Sequence, residues 1–210
     1  MKIKIDNATI VTMVGSRKTP LMHCELLRRF AYQVARRGGV VWTGDALRAD
    51  EYSYRGVREY IQDAEIEYSD AMRLARVFMA TDVSENCYAG VPYEHMKGHF
   101  DHCRAGPRIL RWRHARLIAA DIHPVWDKLD QWSKALHARN IFQVLGQDLD
   151  LPTDLAVFYA EPKSGPFVAG GTNTAIQCAR EHGIPLINLW YPETMIDFEE
   201  WVQQLETETV

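Results

Sequence analysis

The chain has no long apolar run, no excess of positive charge, no internal repeat and few cysteines. Each absence narrows what it can be. No uninterrupted apolar stretch approaches the roughly twenty residues of a membrane helix, so no span is expected. The opening MKIKIDNATIVTMVG alternates charge with apolar residues and has no signal-peptide core, which predicts a cytoplasmic protein. Lys and Arg total 24 against 28 Asp and Glu, a formal charge of −4, so bulk electrostatics disfavour nucleic acid as a partner. Cys24, Cys87, Cys103 and Cys178 follow no framework spacing and read as reduced thiols, three of them near the core. No linker-like or low-complexity segment divides the 210 residues, so a single domain is expected.

What is present is an alternation of short β-branched runs with segments of helical period. NATIVTMVG (Asn7 to Gly15) reads as a buried strand, and Leu26, Leu27, Phe30, Ala31 and Val34 recur at helical spacing before Gly38-Gly39. VVWTG follows as a second strand, which makes a right-handed βαβ unit. Residues 50 to 75 are helix formers and RVFMA is a third strand. From Thr81 to Pro107 the periodicity disappears, marking an irregular insertion at about 81–112. Helical pattern resumes from Arg113 to Gly146, divided at Pro124, and DLAVFYA, Thr172 to His182, IPLINLW and DFEEWVQQLE complete a strand, helix, strand, helix series. The expected fold is α/β: a Rossmann-like, doubly wound, mostly parallel sheet with helices on both faces and its ligand outside the carboxyl ends of the strands.

Two junctions join such a strand end to a helix start: VGSRKTP and VAGGTNTA. Glycines let a phosphate approach the backbone, and the helix N-terminus supplies free N–H groups and the positive end of the macrodipole. Gly15, Ser16 and Arg17 on one side, and Gly170, Gly171, Thr172, Asn173 and Thr174 on the other, are therefore candidate phosphate-binding residues. A tight turn with a threonine N-cap would carry the same residues. A third junction, TGDALRADE, adds Gly44, Asp45 and Arg48, with Asp50 and Glu51 as candidate acid–base groups or as solvated carboxylates favoured at a helix start. Cys87, His95, His99 and Cys103 are candidate zinc ligands with His102 as a spare donor, although a straight helix separates His95 from Cys103 by about 12 Å. Trp42 and Trp190 end strands at the ligand edge and can flank a base, whereas Trp126, Trp132 and Trp201 are expected in helix cores.

These motifs resemble the SLOG superfamily, which includes the DNA-processing DprA/Smf proteins and the Lonely Guy nucleotide hydrolases. TMVGSRKTP is similar to the opening strand and turn of DprA-type domains, and VAGGTNTAIQCAREHGIPLINL to the superfamily's GGT turn, helix and strand. HPVWDKLDQWSKALHARNIFQVLGQDL, DLAVFY and GGTNTAI are together similar to small phage-borne DprA-like proteins. In those proteins the second strand leads into GGAxGAD; here the run is TGDALRAD, which keeps Gly44, Ala49 and Asp50 but carries Asp45 in place of a glycine and brings in Leu47 and Arg48. The Lonely Guy run PGGxGTxxE ends in a glutamate that assists glycosidic cleavage; this chain has AGGTNTAIQ, with Gln177 near that position, and an amide cannot move the proton.

The resemblance implies a nucleotide-type ligand, a homo-oligomer and, if phage-encoded, residence in the host cytoplasm. Arg139, Asn140 and Gln143, in a segment similar to the phage family's ARNxYQVLG, either contact that ligand or bind loop carbonyls. Three functional expectations follow: binding of a nucleotide or nucleotide-derived metabolite through the two phosphate turns, nucleotide N-glycoside hydrolysis or transfer of Lonely Guy type with Asp50 or Glu51 acting at the ribose, and DprA-like single-strand DNA binding. The last finds a local basic patch in RILRWRHAR, and the aromatics of residues 52 to 60 suggest a subunit surface.

Overall fold

Both faces of the first strand are covered, which is why IVTMVG lacks the alternation of a surface strand. In the computed structural model, which describes residues 3–80, 100–102 and 109–209, β1 (Ile10–Gly15) lies inside a six-stranded sheet. All pairings are parallel. The chain steps outward through β2 (Val40–Thr43), β3 (Ala75–Met79) and β4 (Phe100–His102), then returns to the other side of β1 as β5 (Leu155–Tyr159) and β6 (Leu186–Asn188). The order β4-β3-β2-β1-β5-β6 therefore reverses between β1 and β5, where Gly15 pairs with Tyr159. A reversal of this kind leaves a crevice at the carboxyl edge.

Seven helices cover the sheet among the described residues. α1 (Leu21–Arg36), α2 (Ala49–Asp63) and α7 (Pro192–Thr207) bury Phe30, Tyr54, Val57, Phe198 and Trp201 against Val11, Met13, Val41 and Val157. On the opposite face α4 (Ile109–Ile122), α5 (Gln131–Leu145) and α6 (Thr172–Glu181) bury Ala115, Phe142 and Ile176 against Val14, Trp42, Phe78 and Phe158. α3 (Tyr68–Ala71) is a single turn before β3. Adjacent strand residues such as Val41 and Trp42 go to different cores, as a two-residue side-chain period requires. No helix among the described residues is long and apolar enough to cross a membrane.

Most expected strands recur with shortened ends, whereas the helices expected from Arg113 and Asp197 begin earlier, at Ile109 and Pro192. The first strand begins at Ile10 because the Asp6 carboxylate accepts the Ala8 amide and the Thr9 amide closes on the Asp6 carbonyl, making a turn. IPLINLW shrinks to Leu186–Asn188 because the Asn188 side chain accepts the Trp190 amide, folding the chain back. The aromatics of residues 52 to 60 do not form an exposed surface: Tyr54 is fully buried and Tyr60 meets Tyr32 edge-on.

α1 and α2 cross at Gly56, where an added Cβ would lie 2.0 Å from the Arg28 carbonyl oxygen and 3.0 Å from the Tyr32 nitrogen. Both are backbone atoms and cannot swing aside. Gly56→Ala should destabilise the fold by about 1–3 kcal/mol despite alanine's better helix propensity. Urea denaturation tests this, and an unchanged or higher midpoint would contradict the crossing.

Candidate functional site

At the sheet's reversal an open cleft of about 500 Å³ is lined from four segments. The turn after β1 contributes Gly15, Ser16, Arg17 and Lys18, and the turn after β2 contributes Asp45, Ala46 and Leu47. The connection from β5 to α6 contributes Gly170, Gly171 and Thr172. One helix, α5, supplies a complete wall: Trp132, Leu136, Arg139, Asn140 and Gln143. Their spacing of three and four residues puts them on one helical face.

Each turn is fixed by its own sequence. After β1, Ser16 anchors the backbone: its carbonyl accepts both the amide and the hydroxyl of Thr19, at 2.9 and 2.6 Å, and its own amide donates to the Tyr159 carbonyl at 3.1 Å. Arg17 and Lys18 are exposed at the tip. Before α6, Gly170 has φ of +76°, a backbone state that favours glycine. The Asn140 amide donates to the Gly171 carbonyl at 2.7 Å, so α5 holds this turn directly. The ten-residue α6 then begins at Thr172 with its positive dipole end toward the cleft.

Asn173 and Thr174 have structural partners. The Asn173 carbonyl oxygen accepts the Val168 amide at 3.0 Å and the Gln177 side-chain amide at 3.2 Å. Gln177 also donates to the Pro166 carbonyl at 2.8 Å, so it braces the loop before the glycine pair. The Thr174 hydroxyl lies 2.6 Å from His137 Nδ1 in the core. Burial, with His123 and Arg139 nearby, pushes His137 down to about 4, so its ring is neutral at pH 7.

The cleft floor holds a buried ion pair. Arg139 Nη1 lies 3.3 Å from Asp50 Oδ2, and the same oxygen accepts the Ala46 amide at 3.3 Å. Asp50 and Arg139 are 3 and 7 % exposed. The pair passes over Gly44, where a Cβ would fall 1.5 Å from Arg139 Nη1, so only glycine admits the guanidinium. Burial pushes the Asp50 carboxyl above its ordinary 3.8 to about 6, while Arg139 and the Ala46 amide oppose the rise. Among the described residues, Asp50 Oδ1, Arg139 Nε and Gln143 Nε2 are buried with no hydrogen-bond partner.

The structure thus brings Gly15, Ser16, Arg17, Asp45, Asp50, Arg139, Asn140, Gln143, Gly170, Gly171 and Thr172 to one cleft. Glu51 instead accepts the Arg48 amide at 3.3 Å and caps α2. Arg48, at φ +76°, holds strained backbone at that cap. Trp42 packs edge-on to Phe78 in the α4–α6 core, and Trp190 sits against Tyr159; neither lines the cleft. Trp132, expected in a core, is 52 % exposed and lines the cleft with Leu136. Its spacing of seven, eight and eleven residues from Arg139, Asn140 and Gln143, which returns to one helical face, is the available signal. Cys87, His95, His99 and Cys103 lie outside the described residues. Among the described residues no group of three or more His, Cys, Asp or Glu side chains is placed to hold a metal.

Two predictions follow from the ion pair. Arg139→Met should cost about 3–5 kcal/mol of stability at pH 7 by leaving Asp50 buried without its cation, and adding Asp50→Ala should recover most of it; denaturation of both variants checks this. A carboxyl raised in the folded state favours folding while protonated. Its stabilising effect is full below pH 3.8 and is lost as pH rises to about 6, so Asp50→Asn should flatten the stability profile in that window.

Comparison of the chain with protein-family models, with curated proteins and with solved structures finds no match.

Proposed function

We propose that the cleft binds a nucleotide or nucleotide-derived metabolite, with its phosphate between the turn after β1 and the start of α6. The observation that carries this reading is the convergence of two glycine turns on one cleft at the sheet's reversal, with the exposed cations Arg17 and Lys18 on one of them. Arginine offers a phosphate two parallel donors, and a helix N-terminus adds backbone donors and a favourable dipole. Trp132 and Leu136 give the same cleft an apolar wall on which a base can stack. The sequence resemblance to the SLOG superfamily points the same way.

A second reading, turnover at the N-glycosidic bond, is favoured by Asp50, a buried carboxyl in the cleft whose proton leaves near pH 6. In that reaction water adds to the anomeric carbon, the base departs with the bonding electron pair, and Asp50 moves the proton. Asp50→Asn then keeps ligand binding and loses release of the free base, measured by chromatography of the incubated nucleotide.

Binding is tested by calorimetric titration with the four ribonucleoside 5′-monophosphates. Arg17→Ala combined with Lys18→Ala should weaken the bound nucleotide about tenfold or more with no change in melting temperature. Trp132→Ala should weaken it by about 1–3 kcal/mol, the value of one base stacked on an aromatic ring. A parent protein that binds none of the four would sink the reading.

A further inference from the structure

We propose that Asp45 reads the sugar of the bound nucleotide, so that the cleft takes a ribose with a free 2′-hydroxyl in preference to 2′-deoxyribose. This deepens the nucleotide reading and rests on it. The argument starts from the direction in which the cleft extends. Its turns follow β5, β1 and β2, neighbouring strands in that order, and among the described residues it receives nothing from the turn after β6. A phosphate held between the β5 and β1 turns therefore leaves the rest of the ligand to run toward β2, one strand spacing of about 5 Å further on.

Asp45 is the side chain that meets it there. It follows Gly44 at the carboxyl end of β2 and lines the cleft. A carboxylate only accepts hydrogen bonds, so beside a phosphate site it repels phosphate oxygens and takes donors. The vicinal hydroxyls of ribose are two donors; 2′-deoxyribose has one. An acid at the end of the second strand holds the ribose 2′-hydroxyl in dinucleotide-binding sheets for the same reason.

The chain on either side of Asp45 is anchored. The Thr43 hydroxyl donates to the Met13 carbonyl at 2.7 Å, and the Ala46 amide donates to Asp50. A turn whose flanks are anchored before the ligand arrives loses little backbone freedom on binding. The same cleft presents a matching need: Gln143, 1 % exposed, lines it with its Nε2 donor buried and without a hydrogen-bond partner among the described residues. A hydroxyl gives and accepts at once, so a sugar can serve the carboxylate and an amide donor together.

The test is calorimetric titration of the parent protein, Asp45→Ala and Asp45→Asn with the four ribonucleoside 5′-monophosphates and their 2′-deoxy counterparts, with inorganic phosphate as competitor. The parent should bind its best ribonucleotide about tenfold or more tighter than the deoxy form, as a charged hydrogen bond implies. Both variants should shrink that ratio to about twofold or less, losing more ribonucleotide than deoxynucleotide affinity, with phosphate still competing. A parent that binds both sugars alike, or an Asp45→Ala protein that keeps the preference, overturns the role of Asp45 and leaves nucleotide binding standing. A parent that binds neither series overturns the nucleotide reading and this inference with it.

Discussion

The contact between Asp50 and Arg139 over Gly44 is the constraint on which the cleft's shape depends. It joins the first turn of α2, on one face of the sheet, to the middle of α5 on the other, across the end of β2. A charge pair this deep contributes little net stability, because desolvation offsets most of its attraction. What it fixes is position. Through the Ala46 amide it also sets the turn that carries Asp45. Asp50 Oδ1, Arg139 Nε and Gln143 Nε2, without a hydrogen-bond partner among the described residues, are the cost of this arrangement, and donors and acceptors of that kind belong where a ligand or water completes them.

The fold was legible because its signals are local. Short β-branched runs bounded by glycine mark strands, and helical spacing in LLRRFAYQV needs no tertiary knowledge. The two glycine turns that line the cleft are legible for the same reason, and Arg139, Asn140 and Gln143 through a resemblance to a family segment. Trp132 was not, since a tryptophan in a helix usually faces a core and only the placement of α5 over the carboxyl edge exposes this one. Trp42 shows the reverse. It stands at a strand end, but strand parity turns it away from Val41's face into the α4–α6 core.

The two cores are built differently, and the cleft uses the difference. The α1–α2–α7 face is closed by large side chains, Phe30, Tyr54, Phe198 and Trp201 among them. The α4–α5–α6 face relies on alanines at positions 115, 119, 135, 138, 175 and 179, which let helices approach closely. Close approach brings Asn140 of α5 within bonding distance of Gly171, the residue that opens α6.

That bond and the ion pair leave from adjacent residues of one helix. Asn140 grips the turn before α6, and Arg139 grips the start of α2. Among the described residues α5 thus acts as a strut between the cleft's two sides. The cleft's width is set by how α5 is seated, so a change in the packing beneath Ile141 or Phe142, far from any ligand, shifts both jaws together and reaches the site as a change in gape.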